Sequence, residues 1–448
     1  MELSSRSDSL RPNKPAADHA GRAIDRLVGS VEPAVATILD RALDGYELSV
    51  DEGEALFNAT GQGYNVLLMV ADELRRRAVG DRVTYVVNRN INFTNVCIKR
   101  CGFCAFSRGH LEEQGYFLPI SEVVRRAREA WDLGATEVCI QAGLPPEMDG
   151  SLYLEVCRAI KRELPDIHIH GFSPEEVLYG SARSRCTIEE YLARLKDAGV
   201  GSLPGTSAEI LDERVRKQIS PGRISVKNWI RVISGAHRLG IPTTSTIMYG
   251  HVETARDRAQ HIATLRDIQR ETRGITEFVP LSFVHSEAPM YFRQMVPGIR
   301  AGASGTDVFK MYAVSRLMLN GYIDNIQVSW VKEGTRFAQA CLTAGANDFG
   351  GTLVNESIST AAGASHGQLT RPVEIRRLIR EAGRIPTERS TTYKILRELP
   401  EEPETPDPLD VAEASEERFG SYQRLIKMDE FRYKPGAAAR SPLPLGGG

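Results

Sequence analysis

VTYVVNRNINFTNVCIKRCGFCAF, residues 83–106, opens as a strand and closes on three cysteines. Its first eleven residues are rich in β-branched and aromatic side chains, which predicts a strand. Cys97, Cys101 and Cys104 follow at once, in the spacing C-x3-C-x2-C. Strand-like stretches recur downstream: TEVCIQAG (136–143), DIHIHGF (166–172), VGSLPG (200–205), PTTSTIMYG (242–250), TEFVPLSF (276–283), NIQVSW (325–330) and NDFGGTLV (347–354). Helical patterns such as SEVVRRAREAWDLG and ARDRAQHIATLRDIQRE separate most of them. Alternation at roughly 25–45 residues per unit predicts a parallel α/β architecture. Eight strands match a closed (β/α)8 barrel of the TIM type, and six with a separate C-terminal cap is the competing reading.

Composition narrows the function classes. The chain has 448 residues, 42% of them hydrophobic and 25% charged, as in ordinary globular proteins. Its net charge of −2 argues against a nucleic-acid-binding surface. No apolar run reaches the roughly 18 residues of a membrane span. The N-terminal MELSSRSDSLRPNKP lacks the apolar core of a secretion signal, so a cytoplasmic location is expected. Residues 1–19 and the acidic, Pro-rich 399–448 are expected to be flexible ends. Residues 20–80 read as a helical segment, with Ser49 and Glu52 spaced as a capping box, and 81–390 as the barrel. Seven cysteines, an odd number in a long chain, do not form a disulfide framework. Cys139, Cys157, Cys186 and Cys341 read as ordinary isolated thiols.

The triad of Cys97, Cys101 and Cys104 lies on a loop, where three sulfurs can face one centre. Thiolates suit zinc or iron–sulfur clusters. Structural zinc takes four ligands, commonly in two pairs, and no second pair is present. A 4Fe–4S cluster on three thiolates leaves one iron without a protein ligand. That iron can accept a molecule that chelates through an amine and a carboxylate, and S-adenosylmethionine (SAM) is one. Zinc, or a cluster closed by a distant fourth ligand, are the alternatives. A non-catalytic electron carrier is the alternative of another class, but ferredoxin-type carriers close their clusters with four cysteines.

In such barrels the chemistry sits at the C-terminal ends of the strands. Gln141, His170, Ser173, Glu209, Tyr249, His251, Glu253, His285, Glu287, Lys332, Glu333, Asn355 and Glu356 gather where those ends are expected. Phe103 suits the aromatic position over adenine in such loops. Backbone carbonyls of Gln141, Ala142 and Gly143 suit the SAM amine, although Ala142 stands where the radical SAM superfamily usually has glycine.

RNINFTNVC, CAFSR, HIHGFSPEEV, SLPGTSAEIL, TSTIMYGHVET, EFVPLSFVH, QVSWVKEG and GANDFGGTLVNESIS, taken in order, resemble the FO synthase subunit 2 family of radical SAM enzymes. The resemblance spans roughly residues 80–390. The futalosine-pathway radical SAM enzymes of menaquinone synthesis share the first and third stretches. SLPGTSAEIL, PLSFVHSEAPM and NESISTAAGASHG favour the former family, which serves coenzyme F-420 biosynthesis.

The resemblance implies a transferase that joins the 4-hydroxybenzyl group of L-tyrosine to 5-amino-6-(D-ribitylamino)uracil. It implies a 4Fe–4S cluster on Cys97, Cys101 and Cys104, a low-potential electron donor, and FO synthase subunit 1 as functional partner. It implies reductive cleavage of SAM, hydrogen abstraction from the tyrosine amine, and Cα–Cβ cleavage. Within that frame Phe103, Gln141, Ala142, Gly143, Ser173, Glu209 and Arg216 are the expected SAM-binding residues. Tyr249, His251 and His285 are the expected catalytic groups, an imidazole being able to accept a proton near neutral pH. His170, Asn355, Glu356 and Ser357 are expected at the substrates, the last three through hydrogen bonds to the ribityl chain.

Overall fold

The computed structural model describes residues 19–108, 114–413 and 420–435. The first strand is two in one line, β1 (Arg82–Val86) and β2 (Asn88–Ile91). Then come β3 (Glu137–Ile140), β4 (His168–Gly171), β5 (Val200–Ser202), β6 (Thr243–Tyr249), β7 (Ile275–Ser282) and β8 (Asp348–Gly351). β9 (Ile385–Arg389) and β10 (Ile395–Glu398) end the series.

Pairing closes a ring. β2, β3, β4 and β5 pair in order and in parallel. Leu203 bridges to Thr243 of β6, and β6 pairs with β7. Phe278 of β7 bridges to Ile326, and Gln327 bridges to Asp348 of β8. β8 pairs with β1, and Val354 bridges to Arg89 of β2. Counting β1–β2 as one stave and the Ile326–Gln327 segment as another, eight parallel staves enclose the interior. The seventh expected strand survives only as those two bridges, because the chain turns into the short helix Trp330–Glu333 directly afterwards.

β9 and β10 lie outside the alternation read from the sequence. β9 adds to the outer edge of β1, and β10 returns antiparallel to it. Their hairpin plugs the N-terminal mouth of the barrel. Arg389 Nε donates to Asp348 Oδ2 at 2.5 Å and Nη2 to Glu277 Oε2 at 3.3 Å, while the Tyr393 hydroxyl donates to Glu277. A buried charge is tolerable only when paired in this way.

Helices His19–Val28, Pro33–Leu43, Val50–Asn58 and Gly61–Val79 precede the barrel. Ser49 and Glu52 form the reciprocal cap that their spacing predicts. Among the described residues, no helix is long and apolar enough to cross a membrane.

The C-terminal segment departs from the expected flexible tail over its described part. Arg376, 1% exposed, donates to Asp407 and Asp410. Leu409, Tyr422, Leu425 and Tyr433 are buried. The Tyr422 ring lies 5.3 Å from that of Phe106, and Phe117 N donates to Phe431 O at 2.8 Å. The average composition is polar, but a few apolar anchors and acids matched to one buried arginine suffice for docking. Residues 1–18 and 436–448 lie outside the described residues.

Candidate active site

The cysteine loop leaves β2 at the C-terminal mouth and is tied down by backbone bonds to distant elements. Ile98 N donates to Leu144 O at 2.8 Å, Gly102 N to Ile219 O at 2.8 Å, and Met290 N to Gly102 O at 2.7 Å. Gly143 N donates to Thr94 O at 2.8 Å. A Cβ on Gly143 would stand 2.2 Å from Val96 O, so only glycine lets these two segments meet.

Cys97, Cys101 and Cys104 all line one cavity of about 240 Å³. Burial pushes the Cys101 thiol up to about 12, against the pull of Arg223. Burial raises Cys97 as well. No group of three or more His, Cys, Asp or Glu among the described residues is placed to hold a single metal ion. A 4Fe–4S cluster spreads its thiolates over separate irons, and three thiols on one cavity with the Arg223 guanidinium beside them are a donor set compatible with such a cluster.

Phe103, Gln141, Ala142, Gly143, Ser173 and Glu209 line the same cavity. Gln141 Nε2 donates to Thr206 Oγ1 at 2.9 Å, and its carbonyl already accepts from Asn92 Nδ2 at 2.9 Å. The helix Pro174–Arg183 begins at the cavity, with Ser173 and Glu176 as its capping pair. Glu176 also accepts from Ala142 N at 2.9 Å, and burial raises its carboxyl to about 7.

Arg216 does not reach the cavity. Its guanidinium is spent on the carbonyls of Ala208 and Ile224. The arginine at the site is Arg223, in the turn before helix Val226–Arg238. Arg223 Nη1 donates to Glu209 Oε1 at 2.9 Å, Nη2 to Ser207 Oγ at 2.5 Å and Nε to Glu175 Oε2 at 3.3 Å. Its guanidinium carbon sits 5.7 Å from the Phe103 ring centroid. Burial opposes the charge on Arg223, but Cys101, Glu209, Glu175 and Cys104 outweigh it and raise its pKa. Ser207 and Glu209 hold left-handed backbone, φ 64° and 46°. Such conformations in non-glycine residues concentrate at functional sites.

The expected catalytic trio is dispersed. His251 is fully buried: Nε2 bonds Met248 O at 2.9 Å, and Nδ1 accepts from Val252 N at 2.8 Å. Both nitrogens are occupied by backbone, and burial lowers its pKa. Tyr249 faces the helices outside the barrel, since successive strand residues alternate and it is Thr246 and Met248 that line the cavity. His285 follows the lining residues Phe283 and Val284, and its ring packs edge-on to Tyr291 at 4.7 Å.

The expected substrate residues also lie off the cavity wall. His168 and His170 share a face and both bond Ser202 Oγ at 2.7 Å. Burial lowers His170 to about 4. Asn355 accepts from Arg89 Nη2 and donates to Gly420 O, each at 2.6 Å, so it fastens the C-terminal segment to the barrel. The Ser357 hydroxyl donates to Asn355 O at 2.9 Å. Glu356 caps the turn Ile358–Ala361 through Ser359 N and Thr360 N, and Ile358, Ser359 and Ala362 line the cavity in its place. Lys99, Glu175, Glu176, Thr206, Ser207, Arg223 and Lys332 complete the polar lining. Lys332 alone of these was marked by its position at a strand end, whereas Arg223 carries no strand-end signal.

Comparison with known proteins gives the family. The Radical SAM superfamily model matches residues 91–265, and the CofH/MqnC C-terminal region model matches residues 272–403. A 5-amino-6-(D-ribitylamino)uracil–L-tyrosine 4-hydroxyphenyl transferase of Methanothermobacter thermautotrophicus is 49% identical over 362 residues, 81% of this chain and 98% of the relative. The protein of the same name from Methanocaldococcus jannaschii is 50% identical over 333 residues, 74% of this chain and 92% of the relative. Among solved structures, the FeFe-hydrogenase maturase HydG from Carboxydothermus hydrogenoformans superposes with a TM-score of 0.62 at 17% identity, covering 84% of each chain, which speaks to the fold alone.

Proposed function

The chain belongs to the radical SAM family of 5-amino-6-(D-ribitylamino)uracil–L-tyrosine 4-hydroxyphenyl transferases, and on that premise we propose how its residues serve the reaction. It is a transferase that joins the 4-hydroxybenzyl group of L-tyrosine to 5-amino-6-(D-ribitylamino)uracil in deazaflavin FO biosynthesis. Cys97, Cys101 and Cys104 would hold the 4Fe–4S cluster, with SAM bound beside it. When bound, the cluster and SAM supply one-electron radical chemistry that no side chain provides. The observation that carries this reading is the single cavity shared by three thiols, Phe103, Glu209 and Arg223.

Arg223 favours thiolate over thiol at Cys101, opposing the burial that disfavours charge there. Glu209 and Arg223 hold the polar end of SAM, the role expected of Glu209 and Arg216, while Phe103 packs against its adenine. Met248, Leu281, Phe283, Val284 and Ile358 form an apolar wall that keeps water from the reacting centre. Placement within about 3–3.5 Å matters more in such a reaction than acid–base strength, consistent with the absence of a free imidazole from the described lining. A low-potential donor would supply the electron, and FO synthase subunit 1 would be the functional partner that takes the product onward.

The test is anaerobic reconstitution with iron and sulfide, followed by dithionite, SAM, tyrosine and 5-amino-6-(D-ribitylamino)uracil. Mass spectrometry should find a hydroxybenzyl–diaminouracil adduct that needs all three small molecules and vanishes in Cys101→Ala. Formation of 5′-deoxyadenosine without adduct would overturn the substrate assignment. No SAM cleavage from a fully loaded, reducible cluster would overturn the cysteine assignment.

A further inference from the structure

Among the described residues, three cations line the cavity, and two of them are engaged. Lys99 pairs with Glu175 Oε1 at 3.1 Å and donates to Gly222 O. Arg223 is held by Glu209, Ser207 and Glu175. Lys332 is half-buried, and its ammonium makes no hydrogen bond or ion pair with any described residue.

The acids that act on Lys332 are Glu356, Glu333 and Glu209. Glu356 is committed to Ser359 N and Thr360 N, and Glu209 to Arg223. Glu333 is the next residue in the same helical turn; its carboxyl, raised by burial, shares a hydrogen bond with Ser282 at the end of β7, and it feels the Lys332 charge without forming an ion pair with it. Adjacent helical residues do not face each other. Lys332 thus lines a space walled partly by Leu281, Phe283, Val284 and Ile358, and the three acids that act on it do so without an ion pair or hydrogen bond to its ammonium. An unpaired charge in such surroundings is costly, and a carboxylate brought by a ligand offsets that cost.

Of the three small molecules, the uracil carries no carboxylate, which leaves SAM and tyrosine. The cation that acts most on Cys97 and Cys101 is Arg223, not Lys332. The chelating end of SAM belongs at those thiols. We infer that Lys332 binds the carboxylate of the amino-acid substrate and so makes the enzyme select an α-amino acid over the corresponding amine. The inference rests on the transferase reading above.

The experiment compares the reconstituted holoenzyme with Lys332→Met and Lys332→Arg, using tyrosine and tyramine, its decarboxylated analogue, as alternative substrates. Loss of one charge-assisted pair should raise KM for tyrosine roughly tenfold or more in Lys332→Met. KM for SAM and the EPR signal of the reduced cluster should stay unchanged, and Lys332→Arg should restore part of the tyrosine affinity. The preference of the unaltered enzyme for tyrosine over tyramine, read as 5′-deoxyadenosine released, should collapse in Lys332→Met. An unchanged tyrosine KM, an unchanged tyrosine-to-tyramine ratio, or a raised KM for SAM instead would each overturn the assignment. Adduct formation by the unaltered enzyme is the control, so failure of the transferase reading shows there and failure of the lysine assignment shows only in the ratios.

Discussion

Arg223 Nη1 lies 2.9 Å from Glu209 Oε1, and the pair stands on the wall that the three thiols share. The arginine comes from a turn between two helices and the glutamate from a left-handed position just past β5. One guanidinium fork therefore serves Glu209, Ser207 and Glu175 at once, beside the thiols.

That fork separates two arginines seven residues apart. Arg223→Lys keeps the charge but can serve only one of the three acceptors, so the EPR change of the reduced cluster on SAM addition should need roughly tenfold more SAM. Arg216→Ala strips donors from two backbone carbonyls instead, and should cost about 1–3 kcal/mol of stability per carbonyl with SAM affinity retained in the folded fraction. Thermal unfolding alongside SAM titration separates the two outcomes.

Gly143→Ala places a methyl group 2.2 Å from Val96 O, where backbone must move. Gly102→Ala meets the Met290 Cβ at 2.8 Å and the Ile219 carbonyl at 3.2 Å. Overpacking costs typically about 1–3 kcal/mol and occasionally more, and the contact at Gly143 is the closer. Iron bound per chain after reconstitution should fall further in Gly143→Ala than in Gly102→Ala.

Tyr422 packs on Phe106, a lining residue of the cysteine loop, and its hydroxyl donates to Phe106 O at 3.2 Å. Tyr422→Ala should loosen that loop, and hydrogen exchange across residues 95–108 should quicken. Tyr422→Phe keeps the ring and loses one bond, worth about 0.5–1.5 kcal/mol, so it should exchange nearly as slowly as the unaltered chain. Equal protection in all three proteins would show that the docked segment does not brace the loop.

His261 links the site to the barrel wall, with Nδ1 accepting from Leu211 N and Nε2 donating to Thr246 O, each at 3.0 Å. Burial lowers its pKa to about 3, below the unfolded value near 6.5. The unfolded chain then binds the extra proton first, so this contribution is complete above about pH 6.5 and is lost progressively as pH falls toward 3. At pH 5 the loss is about 2 kcal/mol. Denaturant unfolding at pH 8 and pH 5 should show that much more acid sensitivity in the unaltered chain than in His261→Gln, which lacks the titrating group.

The strands, the cysteine spacing, the Ser49 cap and the succession of β/α units are all local patterns, and a single chain displays them directly. They determine the barrel and the triad. What only the tertiary structure decided is which polar side chains meet. Strand parity turned Tyr249 outward and Met248 inward. The backbone around Met248 and Val252 consumed both nitrogens of His251. A turn far from any strand end delivered Arg223, while Arg216, on the neighbouring helix, went to structural carbonyls. A C-terminal segment that reads as polar filler docked on Phe106 through a few anchors. Local spacing sets an element and its faces, whereas convergence at a site is the sum of many long-range contacts, and no short window of sequence contains them.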